Sequence, residues 1–308
     1  MLKGNTMKNL FLILFCVSLV LFFNIVVSGK QNCISRFASA LVDEITVEQV
    51  LDNYVKALGG KEALLKITSR TSKGTYSISA TTSNPSQPLK IVDAPLEIYA
   101  KSPNKIILKI NISKTDTIQR AFDGTEGWAK DLSLPDIRSI TGTELSLLKT
   151  KADFYWSINL KTLYPQLTFK EKKTIELQIP GKLKLDKKEV YVLEAKQEKP
   201  ASEEEQKPTE RFYFDVQTGL LLRSDIDTEI LIAEKRNVTT NGNTYQDYFP
   251  EKQIVPIEIY YENYKEIDGV KIPMTTRQAI STNNIIINLT TVENNKPIDD
   301  KLFTKPIK

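Results

Sequence analysis

Histidine is absent from this chain. Its absence removes Ser-His-Asp and Cys-His catalysis, histidine general bases and every histidine-ligated metal. Cysteine is nearly as scarce: Cys16 lies in an apolar leader and Cys33 just after it, so a cleaved product keeps one thiol and no internal disulfide. A zinc site would then rest on carboxylates alone, against the ion's preference for nitrogen and sulfur. No metal and no cofactor is expected. Among only 12 glycines there is no Gly-rich phosphate loop and no G-x-S-x-G elbow. A surplus of one charge is missing too. The formal net charge is +4, it falls further without Lys3 and Lys8 of the leader, and no run is dense in Lys or Arg. A nucleic-acid partner is therefore not expected.

What is present begins with export. "MLKGNTMKN" supplies lysines, "LFLILFCVSLVLFF" an apolar run, and Val27-Ser28-Gly29 residues that suit cleavage before Lys30. The competing reading is an uncleaved anchor, since residues 10–28 nearly reach the ~20 apolar residues that span a bilayer. Cys33 follows "KQN", a poor setting for lipid attachment. The chain divides into a signal peptide or N-terminal anchor (1–29), a linker (30–45) and one domain (46–308). The expected location is periplasmic or otherwise exported, with membrane anchoring by residues 10–28 as the alternative.

The domain opens with a helix. Thr46 and Gln49 form a capping-box pattern, and Val47, Val50, Leu51, Tyr54, Val55 and Leu58 recur at helical spacing. Gly59-Gly60 stops it, and "KEALLKI" adds a short second turn. From Thr68 the pattern changes to strands: "GTYSISATT", "KIILKINIS", "EVYVLEA", "ERFYFDV", "GLLLRSD", "PIEIYYENY", "KIPMTTRQ" and "NIIINLTTV". Turns fall at Asn84-Pro85, Ser102-Pro103-Asn104, Asp123-Gly124, Thr218-Gly219 and Asp268-Gly269. One helical stretch interrupts, residues 141–157, with Leu145, Leu148, Ala152 and Tyr155 on one stripe. Many long strands with few helices indicate a meandering antiparallel sheet rather than βαβ units. Residues 198–208 and 239–253 are polar and are expected to be loosely ordered.

In "YKEIDGVKIP" (264–273), Glu266 and Asp268 have the look of an acid/base pair. Apolar alternation runs into the stretch and out of it, however, and Asp-Gly between such runs is a strong hairpin signal. Its carboxylates are expected to be turn and edge residues. "DGTEGWAKD" offers Asp123, Glu126 and Asp131, but without the regular spacing of oxygen ligands that a calcium loop needs; a hairpin is expected there as well. Asn111, Asn237 and Asn288 begin N-x-S/T sequons, which matter only in a glycosylating host.

"YVKALGGKEALLKITSRTSKGTY", "FDGTEGW", "TGTELSLLKTKADF", "RFYFDVQTGLLLR" and "VPIEIYYENYKEIDGVKIPMTTRQ" follow one another in an order that resembles the outer-membrane lipoprotein-sorting carriers, the LolA-like superfamily. The resemblance covers essentially all of 46–308. It implies a mainly β (α+β) fold: a strongly curved antiparallel half-barrel with helices packed over its concave side. It also implies a cavity between sheet and helices for acyl chains or other apolar ligands.

The residues are compatible with that. Ile107 stands beside Ile106 and Leu108, Tyr213 between Phe212 and Phe214, and Ile286 between Ile285 and Ile287, so several strands are apolar on both faces. Periodicity alone does not separate a face filled by helices from one filled by a ligand. The candidate cavity residues are Ile106, Leu108, Ile110, Trp128, Phe154 and Trp156, with no catalytic residues. The expected function is a non-catalytic carrier binding a lipid or lipid-modified protein, with peripheral membrane association. The alternative is an envelope sensor or interaction module that docks a protein partner and no lipid. An enzyme ranks third, because carboxylate-only hydrolysis needs Asp/Glu facing each other across a cleft.

Overall fold

In the computed structural model, residues 45–80, 89–132, 136–177, 185–196, 209–240, 243–280 and 283–306 are described. The leader, most of the linker, the turn at Asn84-Pro85 and the acidic stretch 198–208 lie outside them. The first helix, α1 (Val47–Ala57), carries the expected capping box. The Thr46 N–H donates to Gln49 Oε1 at 2.8 Å and the Gln49 N–H to Thr46 Oγ1 at 3.2 Å, which satisfies two orphan donors at once. After Gly59 and Gly60 comes α2 (Lys61–Lys66).

Strands then dominate: β1 (Ser69–Ala80), β2 (Leu89–Lys101), β3 (Lys105–Asn111), β4 (Thr117–Phe122), β5 (Gly127–Lys130) and β6 (Arg138–Ile140). Two helices follow, α3 (Gly142–Ala152) and α4 (Trp156–Leu163). The chain continues through β7 (Leu167–Leu177), β8 (Asp186–Lys196), β9 (Thr209–Asp215), β10 (Leu221–Thr240), β11 (Asn243–Ile267), β12 (Val270–Ile280) and β13 (Asn283–Asn294). All pair antiparallel in one sheet ordered β6-β5-β4-β3-β2-β1-β13-β12-β11-β10-β9-β8-β7. The sheet curves without closing, a half-barrel with its helices on the inner side.

Two expectations need correction. The helical stretch 141–157 is two helices, because the Asp153 carboxylate accepts the Tyr155 N–H (2.8 Å) and the Asn159 amide (3.1 and 3.0 Å), while the Phe154 N–H leaves for the Pro103 carbonyl (2.9 Å). A side chain that competes for backbone donors breaks the ladder locally. The polar stretch 239–253 is strand for most of its length, paired from Thr240↔Asn243 onward. The ladder is made of backbone groups and does not require apolar side chains.

The turn at 264–273 forms as expected. Asp268 (φ 53°) and Gly269 (φ 77°) are both left-handed, closing β11 onto β12 at Ile267↔Val270. Asp268 accepts a hydrogen bond from the Asn294 amide at 3.1 Å, an edge role. The end of α1 docks on this turn: the Lys271 N–H donates to the Leu58 carbonyl at 2.8 Å.

Register divides the sheet into two faces. Ile98↔Leu108 and Leu108↔Arg120 place those residues on the inner face; Tyr99↔Ile107 and Ile107↔Ala121 belong to the outer one. The outer face is itself covered in two places. The C-terminal segment puts Phe303, fully buried, on Ile107, Ala121 and Trp128. At the other end Ile175, Val190, Val192 and Tyr213 form a second outer cluster. This explains the strands that are apolar on both sides.

Candidate functional site

The inner face is one continuous surface with three differently covered parts. Over β3–β6, Leu145 and Leu148 of α3 pack on Ile106, Phe122, Ala129 and Ile140. Over β7–β10, α1 and α4 bring Val50, Tyr54 and Leu160 onto Leu193, Phe212 and Phe214. Between them lies a cluster of Tyr76, Ile78, Leu96, Ile110, Ile118 and Ile285, all from strands. Ile98, Leu108, Ile226, Tyr261, Ile287 and Leu289 border it and are only partly buried. Among the described residues no helix contributes to this central trough.

The candidate cavity residues separate accordingly. Ile106, Leu108 and Ile110 all face inward: Ile106 lies under α3, Ile110 is fully buried in the trough and Leu108 sits at its margin. Phe154 and Trp156 lie elsewhere on the inner side. Phe154 packs with Ile67, Val270 and Ile272, and Trp156 meets Phe212 edge-on at 5.8 Å. Together they line a cavity of about 170 Å³ between α1 and the start of β12. Trp128 is on the outer face, where its Nε1–H donates to the Phe303 carbonyl at 2.7 Å. The structure does not bring it near the other five, because β4 pairs Trp128 with Ala121 and Ala121 with the outer Ile107.

Sequence reasoning missed the charged residues of the inner face. Arg120, on the strand position between Ile118 and Phe122, is buried and paired with Asp131. Arg138 forks onto Glu144 with two bonds of 2.7 Å and reaches Asp131 at 3.0 Å, tying α3 to the sheet. Burial alone would raise the Asp131 carboxyl; the Arg120 guanidinium, with help from Arg138, pulls it below the ordinary range instead. Farther along, buried Glu210 accepts from Tyr164 Oη at 2.5 Å and from Lys151 Nζ at 3.3 Å. Burial first, then the Glu210 carboxylate, pushes the Tyr164 phenol up. These carboxylates are each held by a cation, an arrangement that braces helices against the sheet. The one available signal was a charged residue alternating with apolar ones within a strand.

Two larger spaces lie away from the trough. One of about 450 Å³ opens beside α1, at Asn53 and the Asp215–Gly219 turn. Another, of about 470 Å³, is lined in part by outer-face side chains, including Leu222, Tyr260, Arg277 and Ile286. There Arg277 stacks 4.0 Å from the Tyr260 ring centre and donates to Glu262 at 3.0 Å. Among the described residues no group of three Cys, Asp or Glu side chains is placed to hold a metal ion.

No protein-family model and no curated protein sequence matches the chain. Similar solved structures include a DUF1329 family protein from Desulfovibrio piger, 14% identical over 84% of this chain and 97% of that one, at a TM-score of 0.47. They also include an outer membrane lipoprotein-sorting protein domain from Vibrio parahaemolyticus, 10% identical over 76% of this chain and 88% of that one, at a TM-score of 0.41.

Proposed function

We propose that the chain is an exported, non-catalytic carrier of the cell envelope that holds a lipid or a lipid-modified protein on the inner face of its sheet. The observation that carries this is the central trough, an apolar strand surface with partly exposed Leu108, Ile287 and Leu289 at its margin and no helix over it among the described residues. Its floor residues Tyr76, Leu96 and Ile110 are themselves buried, so a ligand would be held over the partly exposed margin. The resemblance of the sequence to lipoprotein-sorting carriers points the same way, as does the leader to a location beyond the inner membrane.

Each methylene moved out of water contributes about 0.8 kcal/mol, so affinity for fatty acids should climb with chain length until the trough is full. Displacement of a fluorescent fatty acid by acids of increasing length measures this. Leu108→Trp sharpens the test. If the trough is ligand space, the indole enters it, stability holds and acyl binding falls. If the face is a closed core, the added volume costs about 1–3 kcal/mol. That cost, together with no probe binding by the unmutated chain, would remove the carrier reading.

A second reading has its own observation. β9 pairs with β10 only as far as Ile226, and β12 with β11 only from Glu258. Beyond those points β10 and β11 pair only with each other among the described residues, as a two-stranded ribbon. Such a ribbon presents backbone edges for strand addition by a protein partner. Native mass spectrometry after gentle extraction separates the two: a co-purifying lipid supports the carrier, and a lipid-free chain with a stable protein partner supports the interaction module.

A further inference from the structure

The 170 Å³ cavity beside Trp156 has an unusual charge balance. Arg70 and Lys271 line it, and no Asp or Glu does. Arg70 stands on the inner face of β1, paired across to Ala100 and Asn294. Its Nε–H donates to Asn294 Oδ1 at 3.0 Å, and Phe154 lies under it, 5.8 Å from guanidinium carbon to ring centre. The Asn294 amide in turn donates to Asp268, so an amide rather than a carboxylate separates Arg70 from the turn. Among the described residues Arg70 has no carboxylate partner, and its two terminal nitrogens make no hydrogen bond to protein. Every other arginine described above is tied to at least one carboxylate. Burial draws the Arg70 pKa down to about 10, the mark of a cation short of compensation. Trp156 also lines this cavity, and among the described residues its buried indole Nε1–H has no acceptor.

An unpaired guanidinium fork on a small space that no carboxylate lines is complementary to an oxyanion. The strand that holds Arg70 leads from it into the apolar trough: inner-face positions run Arg70, Ser72, Gly74, then Tyr76 and Ile78. At about 3.3 Å per residue, six residues separate Arg70 from Tyr76 by roughly 20 Å, a span on the scale of an acyl chain. The cavity is too small for a whole lipid but suits a head group.

We infer that the cavity at Arg70 is an oxyanion site that receives the phosphate or carboxylate head of an amphiphile whose tail lies along the trough, which rests on the carrier reading of that face. The test titrates the purified full chain by calorimetry with decyl phosphate, decanol and inorganic phosphate. The unmutated chain is expected to prefer decyl phosphate over decanol by at least about tenfold, the ratio one charge-assisted hydrogen bond supplies. Arg70→Met should bind the two alike while keeping its affinity for decanol. If inorganic phosphate binds as tightly as decyl phosphate and loses its binding in Arg70→Met, the site holds a free oxyanion and the head-group reading is overturned, because the tail plays no part.

Equal binding of both tails by the unmutated chain, or a preference that survives Arg70→Met, overturns the head-group site and leaves the carrier standing. No tail binding with Arg70-dependent phosphate binding overturns the carrier and the head-group reading together and leaves a free oxyanion site; no binding of either overturns all of them. Should Arg70→Met fail to fold, Arg70→Gln decides. It keeps a side-chain N–H for Asn294 and removes the charge, and an undiminished preference for decyl phosphate would then count against the site.

Discussion

Replacing Gly59 by alanine tests how the end of α1 is held on the β11–β12 turn. A Cβ at this position would lie 2.1 Å from the Gly269 carbonyl oxygen and 3.2 Å from its carbon. The obstacle is backbone, so it cannot swing away as a side chain does. The residue also sits at φ 119°, a conformation that side chains other than glycine's rarely adopt. Separating the two segments breaks the 2.8 Å bond from the Lys271 N–H to the Leu58 carbonyl. Conformational strain of about 1–3 kcal/mol and a lost hydrogen bond of about 0.5–1.5 kcal/mol together put the cost at roughly 1.5–4.5 kcal/mol. Gly269→Ala is the control. Gly269 has φ 77°, but a methyl group there would meet nothing within 4 Å, so the substitution brings strain alone. Urea denaturation of both variants, with midpoints and slopes compared, gives the measurement. Gly59→Ala should be the less stable of the two, and it should also weaken binding at Arg70, since Leu58, Lys271 and Ile272 line that cavity. If Gly59→Ala is no worse than Gly269→Ala, the close approach does not govern this docking and the reasoning fails.

Two further predictions concern Trp128 and Asp131. Trp128→Phe should cost about 1–3 kcal/mol in stability, because the Phe303 carbonyl loses its indole donor in a buried setting. Its fatty-acid binding should be unchanged; a binding defect at full stability would place Trp128 at the ligand after all. The Asp131 pair predicts an acid sensitivity of definite sign. The folded-state pKa of Asp131 lies below its ordinary value of 3.8, so the pair stabilises fully above that value and its contribution disappears as pH falls through the lower folded one. The stability gap between the unmutated chain and Asp131→Asn should therefore narrow as pH drops below about 4. A gap that stays constant down to about pH 2 would show that the pair has no such linkage.

Features with local causes were legible in the residues alone. The Thr46–Gln49 capping box, the Asp268-Gly269 turn and the alternation of Ile106, Leu108 and Ile110 each depend on residues within a few positions, and each is found where the pattern puts it. The split at Asp153 is also local, but it hinges on one side chain outcompeting a helical ladder, which apolar periodicity does not register. What covers each face was settled by the folded chain and not before. Ile107 and Trp128 are buried by a C-terminal segment that carries Phe303, so no pattern around residue 107 or 128 announces it. Arg70 reads along the chain as one more charged strand residue. Its meaning comes from Phe154, Trp156, Lys271 and Asn294, brought around it by strand pairing and helix docking, and from the carboxylate that none of them supplies. Alternation sets which side of a strand a residue takes, whereas partners arrive from distant parts of the chain, and their charge and spacing exist only once the sheet has curved.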